Sequence, residues 1–314
     1  MRVATHASDI DGIVSAALIL MKFPNAKIDF LTLRDLKIME NVEYDLIIDL
    51  PKLPNAKANV DHHISNYESL KRNGLLTEHD LIDPKAPSSA SLLIKYLGLE
   101  NNPKAKKLVE FANIADTGGV NKKIYILDKI IKCHSNEPDI LLKIAWILVE
   151  KGLNFTKDKW LVNEWKRLQI WLKKGRKISD KVVKEALKKD IKYLIVDLIS
   201  GFPRITISDL QWMYINSGGE VIVVINRMTD PDPACPKIVS NSSKEYARVS
   251  IRVSRNCSFD ARKLAEKLGG GGHVKASGAR IKINEYYSAL SIIINALADH
   301  GIVGYTKIDL NFRK

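Results

Sequence analysis

Residues 1–120 alternate short apolar runs with amphipathic stretches, and this alternation restricts the fold more than any other feature of the chain. Arg2–Thr5, Lys27–Leu31, Leu46–Ile48 and the short Ala58–Val60 have the length and apolar character of strands. Gly12–Lys22, Ser89–Leu97 and Pro103–Ile114 have helical spacing between and after them. Strands that alternate with helices predict an α/β domain built on a mostly parallel sheet. Such sheets bind ligands beyond the carboxyl ends of their strands. His6, Asp49 and Asp61 each follow a strand candidate directly, so the pattern places them on one rim.

Those three residues belong to four clusters of Asp and His. The first is Thr5-His6-Ala7-Ser8-Asp9-Ile10-Asp11-Gly12, the second Asp49, the third Asp61-His62-His63, and the fourth Asp116 near the end of a helical run. Each has a simpler reading. Asp9 and Asp11 suit the start of the helix that follows. Asp61-His62-His63 suits a surface turn, and Asp49 a strand-end turn before Pro51. All four in this order are better explained by convergence on a metal centre. Carboxylate with imidazole suits manganese, zinc, iron or cobalt. The absence of cysteine from the clusters disfavours a structural zinc site. The donors suffice for two ions, an arrangement suited to in-line displacement at phosphorus by an activated water.

Charge divides the chain. Residues 1–150 carry 19 Lys and Arg against 20 Asp and Glu, whereas residues 151–189 carry 13 against 4, within a total of +13. The basic stretch looks helical, with Trp160, Leu161, Trp165, Leu168, Trp171 and Leu172 on an apolar stripe and Lys and Arg elsewhere. It could guide a phosphate-bearing strand, or simply be a Lys-rich solvated face. A second α/β region follows, with strands expected at Tyr193–Leu198, Val221–Asn226, Arg248–Val253 and Gly278–Ile283 and helices at Phe259–Leu268 and Glu285–Asp299. The expected division is therefore 1–150, a helical connector at 151–189, and 190–314. No run is long and apolar enough to span a membrane. The N-terminus opens directly into a strand pattern, and the three cysteines are scattered and odd in number. Both point to a reducing, cytoplasmic setting.

Gly269-Gly270-Gly271-Gly272-His273 exceeds what a helix cap requires. Bare backbone at Gly270, Gly271 and Gly272 could approach an anion closely, with His273 beside it and Arg252 a short way before. An Arg fork matches phosphate oxygens.

Together these motifs resemble the DHH phosphoesterase family with its associated C-terminal domain, in its RecJ-like or oligoribonuclease-like, archaeal form. The matching residues are the His6–Gly12 cluster, Asp49, Asp61-His62-His63, Asp83-Pro84 through Ser88-Ser89-Ala90-Ser91, Asp116, Ser250-Ile251-Arg252, and Gly269–His273 with Ala276-Ser277-Gly278. The resemblance implies a parallel-sheet DHH domain, a smaller C-terminal α/β domain with a mixed sheet, and an active-site cleft between them. It implies two Mn2+ ions, with Mg2+ or Co2+ as substitutes. His6 and Asp9 would hold one ion, Asp11, His62 and Asp116 the other, and Asp49 both. Asp61 would support the site, and His63 would face the scissile phosphate. Arg252 and His273, with the glycine loop, would hold the substrate's phosphate and end nucleotide. Many members place the first Asp four residues after the His; here Asp9 is three after His6. The implied activity is manganese-dependent hydrolysis of short single-stranded RNA or DNA. The alternative is a phosphatase or phosphodiesterase acting on 3′-phosphoadenosine 5′-phosphate or cyclic dinucleotides. A homodimer is compatible with this reading, and a metal-free scaffold role is the non-enzymatic one.

Overall fold

The computed structural model describes residues 1–33, 35–228, 231–238 and 245–310. The chain divides into two compact units, Met1–Lys166 and Arg167–Lys314.

The first unit follows the order β1 (Arg2–His6), α1 (Ile10–Lys22), β2 (Lys27–Leu31), β3 (Leu46–Ile48), β4 (Asn59–Asp61), α2 (Ile64–Arg72), β5 (Leu81–Ile82), α3 (Ser89–Tyr96), α4 (Pro103–Asp116), α5 (Lys122–Cys133) and α6 (Pro138–Lys151). Among the described residues its sheet has five strands in the order β2-β1-β3-β4-β5. Every pairing is parallel. The central strands are covered on both faces, which is why Val3, Ala4, Leu46, Ile47 and Ile48 read as continuous apolar runs and are fully buried. Helix α1 is also buried from Ile10 to Leu20, packed by α3, α4 and α6. The short α2 and β5 were not expected. Helix α2 is largely polar, with only Asn66 and Leu70 buried, and β5 has two residues, so neither leaves a periodic signal.

Helix α7 (Lys159–Lys188) spans the division between the units and continues well past the Trp-rich stripe. In the second unit β6 (Tyr193–Ser200), α8 (Ile207–Asn216), β7 (Val221–Asn226), β8 (Tyr246–Val253), α9 (Ala261–Lys267), β9 (Gly271–His273), β10 (Ala276–Lys282), α10 (Tyr286–Ala298) and β11 (Val303–Asp309) complete the chain. The sheet is mixed, in the order β11-β6-β7-β8-β10-β9. Strands β11, β6 and β7 are parallel, whereas β8, β10 and β9 join antiparallel. One face packs Val221, Val223, Ile251 and Val253 against residues of α9 and α10. The other packs Ile222 and Val224 with Val182, Val183, Leu210 and Tyr214. Gly175 lets α7 approach closely, since a Cβ there would lie 2.3 Å from Thr206 Oγ1. Asp197, buried on β6, is matched by a forked pair of bonds from Arg227 (2.9 and 2.8 Å) and by the hydroxyls of Tyr286 and Tyr305 (2.8 Å each). Cys257 is a buried free thiol.

Candidate metal centre

In the order β2-β1-β3-β4-β5 the chain turns from one side of β1 to the other between β1 and β3. Connections leave in opposite directions at that point and open a crevice at the carboxyl ends. His6 is the last residue of β1, Asp49 follows β3, and Asp61 ends β4, so three of the four clusters reach this crevice from the sheet. Asp116, the last residue of α4, supplies the fourth.

The turn from β1 into α1 is tight. A Cβ on Gly12 would stand 2.1 Å from the His6 carbonyl oxygen, so only glycine fits. Asp9 caps α1 by accepting the Gly12 N–H at 3.0 Å through one carboxylate oxygen. Its other oxygen lies 2.5 Å from His6 Nδ1. Capping thus uses only one of the two Asp9 oxygens. Asp11 does not cap α1. Its carboxylate accepts the Ser89 and Ala90 N–H groups at 2.7 and 2.9 Å, at the start of α3. Gly12→Ala is expected to destabilise the first unit by about 1–3 kcal/mol or more, because backbone must shift. A thermal melt within one degree of wild type would contradict that packing.

Three groups of potential ligands result: His6 with Asp9 and Asp49; Asp11 with His62 and Asp116; and Asp49 with His62 and His63. Within each, one ligand atom per residue lies within 4.8 Å of the others. Asp49 links the groups, with one oxygen 3.6 Å from His6 Nδ1 and the other 3.7 Å from His62 Nε2. Its φ of 58° is left-handed, unusual away from glycine and costing about 1–2 kcal/mol for an ordinary residue. Asp tolerates it better than most, and strain of this kind gathers at functional sites.

His62 tests whether a cation belongs here. Its Nδ1 lies 3.3 Å from the Ala86 carbonyl, which leaves the lone pair on Nε2 when Nδ1 carries the proton. Nε2 is sealed from solvent and makes no hydrogen bond. It lies 3.2 Å from an Asp116 oxygen and 3.7 Å from an Asp49 oxygen. A ring-nitrogen lone pair and two carboxylate oxygens this close repel each other, and a divalent cation removes the repulsion. The residues present therefore fit a metal.

Electrostatics point the same way. Burial and the charges of Asp49, Asp116 and Asp9 hold the Asp11 carboxyl well above the carboxylate range. Burial, then Asp9, push Asp49 up to about 6. Burial opposes the charged form of His6, but Asp9 and Asp49 outweigh it and raise the imidazolium to about 11. Asp9 is lowered despite burial, because His6 stands beside it.

Asp61 is fully buried and lies outside the three groups. It accepts the His62 and His63 N–H groups at 2.8 and 3.2 Å, His63 Nδ1 at 2.8 Å and Asn66 Nδ2 at 2.7 Å. The bond to Asp61 raises His63 to about 9 and leaves Nε2 as its other ring nitrogen. Sequence reasoning did not single out several supports. The Ser89 hydroxyl donates to Asp49 at 3.1 Å, and Asn66 also donates to Asn59 Oδ1 at 2.7 Å. Asn59 was findable, since it stands two residues before Asp61 on one strand and shares its face. Asn66 left no signal in a short polar helix.

Arg252, Gly270, Gly271, Gly272 and His273 lie in the second unit. Arg252 is on β8 and Gly271–His273 form β9, an edge strand rather than a free loop. Three glycines have local reasons. Gly269 (φ 73°) follows α9, a Gly270 Cβ would lie 2.1 Å from the Gly278 carbonyl, and Gly272 has φ 132°. At Gly271 a Cβ would meet open space, so packing does not demand glycine there.

Residues 217–299 match the DHHA1 domain family. No curated protein matches the sequence. Among solved structures, the chain resembles the pGpG-specific phosphodiesterase PggH from Vibrio cholerae at 16% identity and TM-score 0.59, covering 95% of this chain and 99% of that one. It resembles RecJ in complex with Mn2+ from Thermus thermophilus at 15% identity and TM-score 0.52, covering 98% of this chain and 53% of that one. A manganese-bound exonuclease RecJ matches at 14% identity and TM-score 0.51, covering 96% of this chain and 90% of that one. The fold, a parallel sheet followed by a mixed one, is shared with these phosphodiesterase and RecJ structures. The DHHA1 match lies within the second unit.

Proposed function

We propose that the protein is a metal-dependent phosphoesterase that hydrolyses short single-stranded oligonucleotides from one end. The observation that carries this reading is the convergence of His6, Asp9, Asp11, Asp49, His62 and Asp116 in ligand groups linked by Asp49, with His62 Nε2 buried and unbonded. His6, Asp9 and Asp49 would hold one divalent cation, and Asp11, His62 and Asp116, with Asp49, a second. Bound there, such ions supply charge neutralisation at phosphorus and acidify water. The chain's own residues do the rest. Asp61 holds His63 by Nδ1, and an imidazole raised to about 9 keeps its proton near neutral pH. It can thus donate from Nε2 to a phosphate oxygen. Arg252 and His273, with the backbone of Gly270–Gly272, would hold the substrate's phosphate and end nucleotide. Mn2+ is the proposed ion, with Mg2+ or Co2+ as substitutes. The exposed Lys166, Lys173, Lys174 and Lys177 of α7 would draw the strand by a salt-sensitive attraction.

The coverage of the two relatives favours short substrates. The chain spans nearly all of the pGpG-specific protein but about half of the Thermus RecJ. The test compares a 5′-phosphorylated dinucleotide, a twenty-nucleotide RNA, the same DNA, a cyclic dinucleotide and 3′-phosphoadenosine 5′-phosphate, each with Mn2+ and with Mg2+. The dinucleotide is expected to be cut fastest. Preference for the bisphosphate or the cyclic compound would move the assignment to the small-nucleotide alternative. No hydrolysis of any substrate with either metal would defeat it.

A further inference from the structure

Strand β8 alternates strictly. Val249, Ile251 and Val253 enter the core shared with α9 and α10. Ser250 and Arg252 therefore stand on the opposite face, toward α8. There Gln211 Nε2 donates to the Ser250 carbonyl and hydroxyl at 3.2 and 3.0 Å. The Arg252 guanidinium carbon lies 4.8 Å from the centre of the Trp212 ring. Register shows what lies beside it. Ala276 stands opposite Arg252 and Gly278 opposite Ser250, and on the next strand His273 faces Ala276 and Gly271 faces Gly278. Directly opposed residues share a face. The sheet next to Arg252 is thus floored by Ser250, Ala276, Gly278 and Gly271, with His273 about 10 Å away across two strand spacings.

Arg252 combines a sealed Nε with the absence of a neighbouring carboxylate among the described residues. Its Nε is sealed from solvent and has no acceptor. Burial lowers its pKa, and no carboxylate offsets the loss of hydration. Its contact among the described residues is an aromatic face rather than an acid. A desolvated guanidinium without a counter-charge costs stability, and an arriving anion recovers that cost.

We propose that Trp212 is a positioning residue for substrate: its indole holds the Arg252 guanidinium, free of any carboxylate, beside a bare sheet floor as the seat of a phosphate monoester. The identity of the monoester as an oligonucleotide end rests on the phosphoesterase reading; the anion seat does not. Trp212 is 38% exposed, so its ring is reachable and a direct stack on the base is the competing role.

Binding of AMP and of adenosine to the full chain in EDTA separates the two. Trp212→Ala is expected to weaken AMP about tenfold, within the range of a partly desolvated cation–π contact, and to leave adenosine unchanged. Trp212→Phe should keep most of the AMP affinity. In an Arg252→Ala background, Trp212→Ala should add nothing, because both remove one interaction. On the 5′-phosphorylated dinucleotide with Mn2+, Trp212→Ala should raise KM while kcat stays within about twofold. Equal losses for AMP and adenosine, full additivity with Arg252→Ala, or AMP bound no more tightly than adenosine by the wild type would each overturn the proposal. If no substrate is hydrolysed yet the coupled AMP loss is seen, the phosphoesterase reading fails and the role of Trp212 stands.

Discussion

Asp49→Asn is expected to remove hydrolysis while raising the melting temperature of the metal-free protein. The loss should be on the order of a thousandfold or more, since even outer partners of metal ligands are worth about 10–100-fold. Asn is the appropriate replacement because it tolerates the left-handed backbone at φ 58° and keeps the shape of the side chain. The gain in stability follows from the direction of the shift. Asp49 is raised from 3.8 to about 6 by burial and by Asp9. An acid raised by folding contributes no cost below its ordinary pKa. The cost grows as pH rises toward about 6 and is complete above it. At pH 7 the metal-free variant should therefore be more stable by about 1–3 kcal/mol, and the advantage should vanish near pH 4. With saturating Mn2+ the order should reverse, because wild type gains about 4.1 kcal/mol at a thousandfold excess over Kd and the variant does not. Melts with and without Mn2+ at pH 4 and 7 check this. A variant that turns over like wild type, or is stabilised by Mn2+ equally, would remove Asp49 from the centre.

Metal uptake should expel protons. His6, raised to about 11 by Asp9 and Asp49 against the effect of burial, carries a proton at neutral pH that a ligand must lose. Asp11 also holds one more tightly than usual. Asp49 contributes only below about 6. Between pH 6 and 8, Mn2+ affinity should accordingly rise with pH, about tenfold per unit for each proton released. Calorimetric titration of chelator-stripped protein in two buffers of different ionisation heat counts those protons. A pH-independent affinity with no proton release would contradict the assignment of His6 as a ligand.

Much of this was legible in residue order. The runs Lys27–Leu31, Leu46–Ile48 and Val221–Asn226 match β2, β3 and β7 end for end; β3 and β7 are almost wholly apolar because they lie inside their sheets with both faces covered. The exposed elements were harder to read. Strand β9 is made of Gly271–His273, and in β11 only Ile308 is buried, so neither has an apolar rhythm. Helix α8, with Trp212, has its apolar residues spread around its circumference and was missed. At the candidate metal centre the donor types, their strand-end positions and, through the resemblance, their grouping were visible, but what holds each carboxylate in place was not. Asp9 and Asp11 look alike before Gly12, yet one caps α1 beside His6 while the other is held by the start of α3, 78 residues further on.

Residue order alone settled that apolar strands would end in Asp and His and that a glycine run would follow a short helix, since both depend on local periodicity and backbone freedom. Only the folded chain decided that Asp49 would adopt a left-handed turn between two donor groups, that His62 Nε2 would be sealed without a partner, and that Arg252 would meet an indole instead of an acid. Those outcomes depend on burial and on groups distant in sequence, where desolvation and like charge at close range outweigh any local preference.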